Sequence, residues 1–177
     1  MKEIGKQKLN ATQRKWLLLA HLLFSAIMFG GAVFFLILSI TAATTSDEGI
    51  LKACYTGMHV LAKTSVRASA IGALITGILL SMLTSWGLFK YYWIMAKEGL
   101  MIISILLGPI SMETLTLKAV TLTSEAGLSS LHDPAFALNS GLLWSGIILQ
   151  IVSIGSMFVI SVFKPWGPRR PKSRSQA

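Results

Sequence analysis

A single cysteine, Cys54, in 177 residues excludes an internal disulfide and any metal centre built from several thiolates. Redox chemistry in this chain would need a borrowed cofactor. Acidic residues are also scarce, seven against sixteen Lys and Arg. There is no clustered pair of carboxylates, no Ser/His/Asp order and no phosphate-binding glycine loop, so hydrolytic and nucleotide-dependent chemistry lack their usual parts. Charge of either sign is thin, 13% of residues, whereas 53% are hydrophobic. That balance is too apolar for a water-soluble domain of this length. The net charge of +9 gathers in the tails and short connections rather than along one helix face with interleaved aromatics, so no nucleic-acid partner is expected. The expected partner is a lipid bilayer.

Charge-free runs define the spans, because about 20 apolar residues in a helix cross the hydrocarbon core. From Trp16 to Ser46 no Asp, Glu, Lys or Arg occurs, which predicts a first helix near 16–41. The run is much longer than the roughly 7–15-residue apolar core of a signal peptide, so Ala42 and Ala43 read as a helix end and not a cleavage site. Ala68 to Phe89 predicts a second helix near 58–85, with Lys63 and Arg67 in its outer turns. The run between Glu98 and Glu113 is too short alone, so a third helix near 92–115 must carry Lys97 and Glu98 early and Glu113 late. Ala135 to Phe163 predicts a fourth helix near 136–163, stopped by Lys164, Pro165 and Gly167. The expected fold is thus all-α, a four-transmembrane-helix bundle over residues 1–166, followed by a basic, disordered tail over 167–177 that can lie on anionic lipid.

Flanking charge gives the orientation. Lys2, Lys6, Lys8, Arg14, Lys15, Lys90, Lys97, Lys164, Arg169, Arg170, Lys172 and Arg174 fall on one side, and only Lys52, Lys63, Arg67 and Lys118 on the other. The richer side is cytoplasmic by the positive-inside rule, so both termini are expected inside a cell membrane, bacterial inner or plasma membrane. Trp16, Trp86, Trp93 and Trp166 fall at that same interface, where indole favours the headgroups. Ser69, Ala73, Gly77 and Ser81 repeat every fourth residue and predict a packing seam on the second helix, with Gly141 and Ser145 a shorter version on the fourth. Pro109 after Gly108 should bend the third helix and free a carbonyl near Ile105.

Ionisable groups inside a span are functional candidates by default, although those near an end can snorkel. His21, Lys97 and Glu98 should lie at one depth near the cytoplasmic face. The imidazole could ligate a haem iron or shuttle protons, Lys97 could ligate or hold a propionate or quinone oxygen, and Glu98 could exchange protons. The plainer reading is snorkelling and helix packing. His59, Lys63 and Arg67 recur every four residues, a cationic stripe on the outer turns of the second helix, with Glu113 as counter-ion. An anionic ligand group is the sharper interpretation, ion pairing or lipid headgroups the plainer one. Cys54, Met58, His59 and Met112 are soft or borderline ligands on the outer side, compatible with copper handling, but their spacing matches no motif and Met is a common filler. His132 and Asp133 before Pro134 read as a turn that starts a helix.

His21 to Gly31 (HLLFSAIMFGG), Thr84 to Lys97 (TSWGLFKYYWIMAK) and Ser161 to Gly167 (SVFKPWG) carry a resemblance to an uncharacterised family of bacterial four-helix predicted integral membrane proteins, along most of the chain. More distantly, a first-helix histidine with a third-helix lysine is similar to the membrane cores of copper-resistance D (CopD) proteins and HemJ-type protoporphyrinogen oxidases. This resemblance implies haem b or a related redox cofactor, with His21 as axial iron ligand and Lys97 as ligand or cofactor contact. It also implies a second histidine in the last helix, where this chain has only Asn139, Ser140 and Gln150 as larger polar side chains. The alternative from another class is a non-catalytic accessory protein that self-associates or joins a larger membrane complex.

Overall fold

The computed structural model describes residues 9–84 and 87–167, and its elements are all helices. Among the described residues four helices are long and apolar enough to cross a membrane. The first is α1 (Ala11–Thr44). The second combines α2 (Glu48–Leu61), a π-helical segment (Ala62–Val66) and α3 (Arg67–Leu83). The third combines α4 (Tyr92–Ile105), a π-helical segment (Leu106–Met112) and α5 (Glu113–Ala126), continued by a 3₁₀ turn over Gly127–His132, and the fourth is α6 (Pro134–Phe163). The expected all-α, four-transmembrane-helix bundle is therefore the architecture observed.

Local chemistry sets the helix starts. Asn10 and Gln13 form a capping box, the Gln13 amide donating to Asn10 Oδ1 at 2.8 Å and the Asn10 amide to Gln13 Oε1 at 3.0 Å. Asp47 caps α2 through the Ile50 amide at 3.0 Å. Asp133 caps α6 through the Ala135 amide at 2.7 Å, with Pro134 in the first turn, as the sequence implies. Gly127 ends α5 at φ 54°, with Glu48 packed so closely that a β-carbon would sit 2.6 Å from its carboxyl carbon. A larger residue there would be both strained and crowded.

Contacts step through the bundle in antiparallel order. Between the first two spans His21 meets Thr76, Phe24 meets Gly72, Gly31 meets Val66 and Ser39 meets Met58. Between the last two, Ser104 meets Ser153, Gly108 meets Gln150, Met112 meets Gly146 and Leu115 meets Asn139. Four antiparallel spans return the chain to the end where it began. That terminal end holds Trp16, Trp93, Lys164 and Trp166, with the Lys164 ammonium 6.0 Å from the Trp93 ring centroid. Trp86 and the expected tail beyond Gly167 lie outside the described residues. The opposite, turn end carries the connections after Thr44 and Ala126.

The bundle is apolar outside, and its apolar interior also holds buried polar side chains. Leu22, Leu23, Ile27, Phe34, Leu142, Ile148 and Val152 are exposed, whereas Ser39, Thr76, Ser104, Thr116, Asn139, Gln150 and Ser153 are buried. Lipid supplies no hydrophobic drive between helices, so close fit and hydrogen bonds must hold them together. Small residues of α3 provide the fit as expected: Ser69 and Ala73 are buried, and Gly72 lies flat against the Phe24 ring. On α6 the expected pair fails. Gly141 and Ser145 face outward, and the packing face is Asn139, Leu143, Ile147, Gln150 and Ile154, which repeats at helical spacing with larger side chains.

Two halves differ in packing. Towards the turn end, Phe35, Leu51, Tyr55, Met58, Ala119, Phe136 and Leu143 form a continuous core, with Tyr55 and Phe136 edge to face at 5.6 Å. Towards the terminal end only Met28, Ala32, Ala70 and Ile154 make a smaller cluster. Below it α3 follows α1 and α4 follows α6, so α3 and α4 part from each other.

The second and third spans are longer than the sequence reading gave. The second begins at Glu48 rather than near residue 58, and the third runs past residue 115 to Ala126. Lys63, Arg67, Glu113 and Lys118 therefore lie within helices and not at their outer ends, while Lys52 stands one turn into the second span. Charge made these turns look like flanks, but Asp47 caps the helix ahead of them.

Candidate functional site

At the terminal end α1 brings His21 against α3. Its Nδ1 lies 3.1 Å from the Ala73 carbonyl and 3.0 Å from Thr76 Oγ1. A carbonyl only accepts, so Nδ1 carries the proton and Nε2 keeps its lone pair in the neutral ring. The Thr76 hydroxyl donates to the Gly72 carbonyl at 2.6 Å, which leaves its oxygen to accept from the imidazole. Gly77 makes room, since a β-carbon there would sit 3.2 Å from His21 Cε1. The result is an imidazole with one nitrogen fixed by a backbone carbonyl, the arrangement that orients a histidine as a metal ligand.

Met101 and Ile105 of α4 pack against the cluster that holds Met28 of α1, so Lys97, one turn before Met101, stands at about the level of His21, two turns before Met28. Glu98 beside it is half-buried, and its Oε1 is enclosed without a hydrogen-bond partner. The residues expected to share one depth, His21, Lys97 and Glu98, therefore occupy the same level, where α3 and α4 separate. These side chains would suit one histidine ligand to a haem iron, with the Lys97 ammonium able to meet a propionate or a quinone oxygen. They do not fit paired histidine ligation, because His59 belongs to the other half and His132 to the turn end.

The second expected cluster is rearranged. A π-helical segment places about one extra residue in the turn between His59 and Arg67, so the four-residue stack does not persist. His59 turns inward, Nδ1 lying 3.3 Å from Thr116 Oγ1. Lys63 is exposed, and Arg67 forms an ion pair with Glu113. Arg67 directly follows Val66, which touches Gly31 near the middle of α1, so this pair stands close to mid-height of the bundle and not at an outer end. Hydroxyls compensate for the disturbed backbone: Thr64 donates to the Val60 carbonyl at 2.6 Å and Ser69 to the Val66 carbonyl at 3.1 Å.

The soft-ligand group on the turn side is built into packing. The Ser39 hydroxyl donates to Met58 Sδ at 3.5 Å, and Cys54 and Met112 are buried in the main core. Among the described residues no three His, Cys, Asp or Glu side chains lie close enough to hold a metal together. An outward groove of about 250 Å³ between the third and fourth spans, lined by Leu107, Leu115, Leu142, Ser145, Gly146 and Leu149, is apolar and remote from His21.

Two features go beyond the sequence reading, the second at a residue it named without a role. One is the pair of π-helical segments, which pack on each other at mid-height. The other is Gln150, 2% exposed, with neither amide atom bonded. Proline after Gly108 was the only signal for the second segment, and a lone Gln in an apolar run was the signal for Gln150. Comparison with known proteins adds nothing to the geometry: no family model, curated protein or solved structure matches the chain.

Proposed function

We propose that this chain is a multi-pass protein of a bacterial inner or plasma membrane, both termini cytoplasmic, that binds a redox cofactor, haem b foremost, through His21. The observation that carries this reading is the imidazole whose Nδ1–H is committed to the Ala73 carbonyl, leaving Nε2 free to ligate. The parting of α3 and α4 supports it, because an amphipathic cofactor can enter sideways from lipid there. The excess of Lys and Arg at the terminal end supports the orientation. The sequence resemblance points the same way.

When bound, haem would supply one-electron or porphyrin-oxidising chemistry. The chain's own residues do the rest. His21, held in place from α3, would ligate the iron, Lys97 would pair with an acidic group of the cofactor, and Glu98 would take or give a proton at its unbonded Oε1. The test is the visible spectrum of protein purified in mild detergent from haem-replete membranes, before and after dithionite. A Soret band that shifts on reduction and is absent in His21→Ala is expected. A colourless wild type would sink the reading.

A second reading has its own observation. The same hydrogen bond ties α1 to α3 across Gly77, so His21 would serve equally as a helix staple in an accessory protein that self-associates or joins a membrane complex. A His21→Ala protein that loses stability in proportion to that hydrogen bond, from a wild type that carries no cofactor, favours this reading. Copper handling at the turn end draws no support from the geometry, since Met58 and His59 are engaged with Ser39 and Thr116.

A further inference from the structure

A membrane bundle that meets only lipid is apolar on every side at a given height, because an ionisable side chain turned to the hydrocarbon is costly. Contacts between the spans fix which residues share a height. Gly31 meets Val66 and Ser39 meets Met58, so residues 56–67 of the second span run beside residues 31–41 of α1. Glu48 meets Gly127, His59 meets Thr116 and Val66 meets Gly108, which places Lys63 level with Met112 and Lys118 level with Gly57. Met112 meets Gly146 and Leu115 meets Asn139, so residues 113–118 run beside residues 138–146 of α6.

Over this shared height the two sides of the bundle differ. α1 packs on α6, and their outward side chains are Phe34, Ile37, Ile40, Leu138 and Leu142, so lipid tails reach this height. α2 packs on α5 across the bundle, and there the outward side chains are Thr56, Lys63, Thr64, Arg67 and Lys118, with Val60 and Leu117 as the large apolar ones between them. Arg67 is paired with Glu113. Lys63 and Lys118 have neither an ion pair nor a hydrogen bond among the described residues. The face therefore carries two uncompensated positive charges at a height where the opposite face is hydrocarbon.

Three occupants could cover it. Lipid headgroups meet Lys118 by snorkelling, since it stands level with Ile40 near the end of α1, but Lys63, level with Phe34, and the Arg67–Glu113 pair lie deeper. A second copy docked through the same face would set the unpaired lysines of both copies against one another. A different protein can supply the missing charge. We infer that the outward face of the second and third spans, from Thr56 to Arg67 and from Glu113 to Lys118, docks a transmembrane helix of another membrane protein whose carboxylates meet Lys63 and Lys118. The two lysines stand about 9 Å apart along the bundle axis, which carboxylates two turns apart on one helix face match. The surface lies in the tight half, so it serves whether or not His21 carries a cofactor.

The experiment places the whole purified chain, donor-labelled at its carboxyl terminus, in phosphatidylcholine vesicles with an acceptor-labelled synthetic helix, and reads association by energy transfer. The helix is a Leu/Ala span of about 25 residues with two Asp about two turns apart on one face. Wild type should bind it at least fivefold more tightly than the same helix with Leu in place of both Asp. Lys63→Gln/Lys118→Gln should reduce that preference to within twofold, and Lys52→Gln, beyond the end of α1, should keep it. Should the double variant fail to elute as a folded species, Lys63→Gln replaces it, with at least half of the preference lost. Equal binding of both helices, or a preference that survives the lysine variants, would overturn the inference. A preference abolished by phosphatidylglycerol in the vesicles would assign the face to lipid headgroups instead. Energy transfer between two labelled copies of the chain that the same variants remove would assign it to self-association, and either result would also overturn the inference.

Discussion

The two halves of this bundle use the same residue types for different ends. Towards the turn end, Phe35, Leu51, Tyr55, Met58, Ala119 and Phe136 close on one another, and the polar groups among them are mostly satisfied within their own helices. Towards the terminal end α3 and α4 part, the core shrinks to a small cluster, and His21, Lys97 and Glu98 stand where the packing thins. Since lipid contributes nothing to helix association, the tight half must hold the four spans together. The loose half is free to carry groups that cost stability. Between them, at mid-height, lie the π-helical segments, the ion pair and Gln150.

This division can be broken in graded ways, each read from the unfolding midpoint in mild detergent. The largest effect should come from the boundary itself: Arg67→Leu leaves the Glu113 carboxylate unpaired and should cost about 3–5 kcal/mol, with the Arg67→Leu/Glu113→Leu pair regaining most of it. If the double variant is as unstable as the single, the pair is not what matters at this level. Phe136→Ala in the tight half should cost roughly 2–3 kcal/mol, below the usual water-soluble figure because lipid already solvates the lost apolar surface. Gly72→Ala pushes a methyl into the Phe24 ring and should cost about 1–3 kcal/mol by overpacking α1 against α3. The smallest stability change, about 1 kcal/mol, belongs to His21→Ala, which removes one partly buried hydrogen-bonding group from the loose half.

Much of the fold was legible because membrane spans are long, uniform and bounded by charge. α1 and α6 follow from their charge-free runs, and the turn at Asp133 that starts α6 is a local signal, whereas the Asn10 cap that starts α1 at Ala11 went unread. The second and third spans were read too short, since Lys52, Lys63, Arg67, Glu113 and Lys118 look like flanks until their partners are known. A charge inside a span is tolerated when it is paired, as Arg67 is, and that pairing belongs to tertiary structure. The shared level of His21, Lys97 and Glu98 was legible from their distances to Trp16 and Trp93. The inward turn of His59 was not, because one π-helical segment between it and Arg67 rotates everything that follows. Gln150 stood out in the sequence only as a polar residue without a stated task; its isolation shows only when Gly108 is placed beside it.

The claim that one half holds the fold while the other holds the chemistry is tested most directly by the reduced-minus-oxidised visible spectrum of His21→Ala and Phe136→Ala, recorded together below both unfolding transitions. The account predicts a colourless His21→Ala protein of nearly wild-type stability and a coloured Phe136→Ala protein that unfolds earlier. A His21→Ala protein that keeps its Soret band, or a wild type that never shows one, would contradict it.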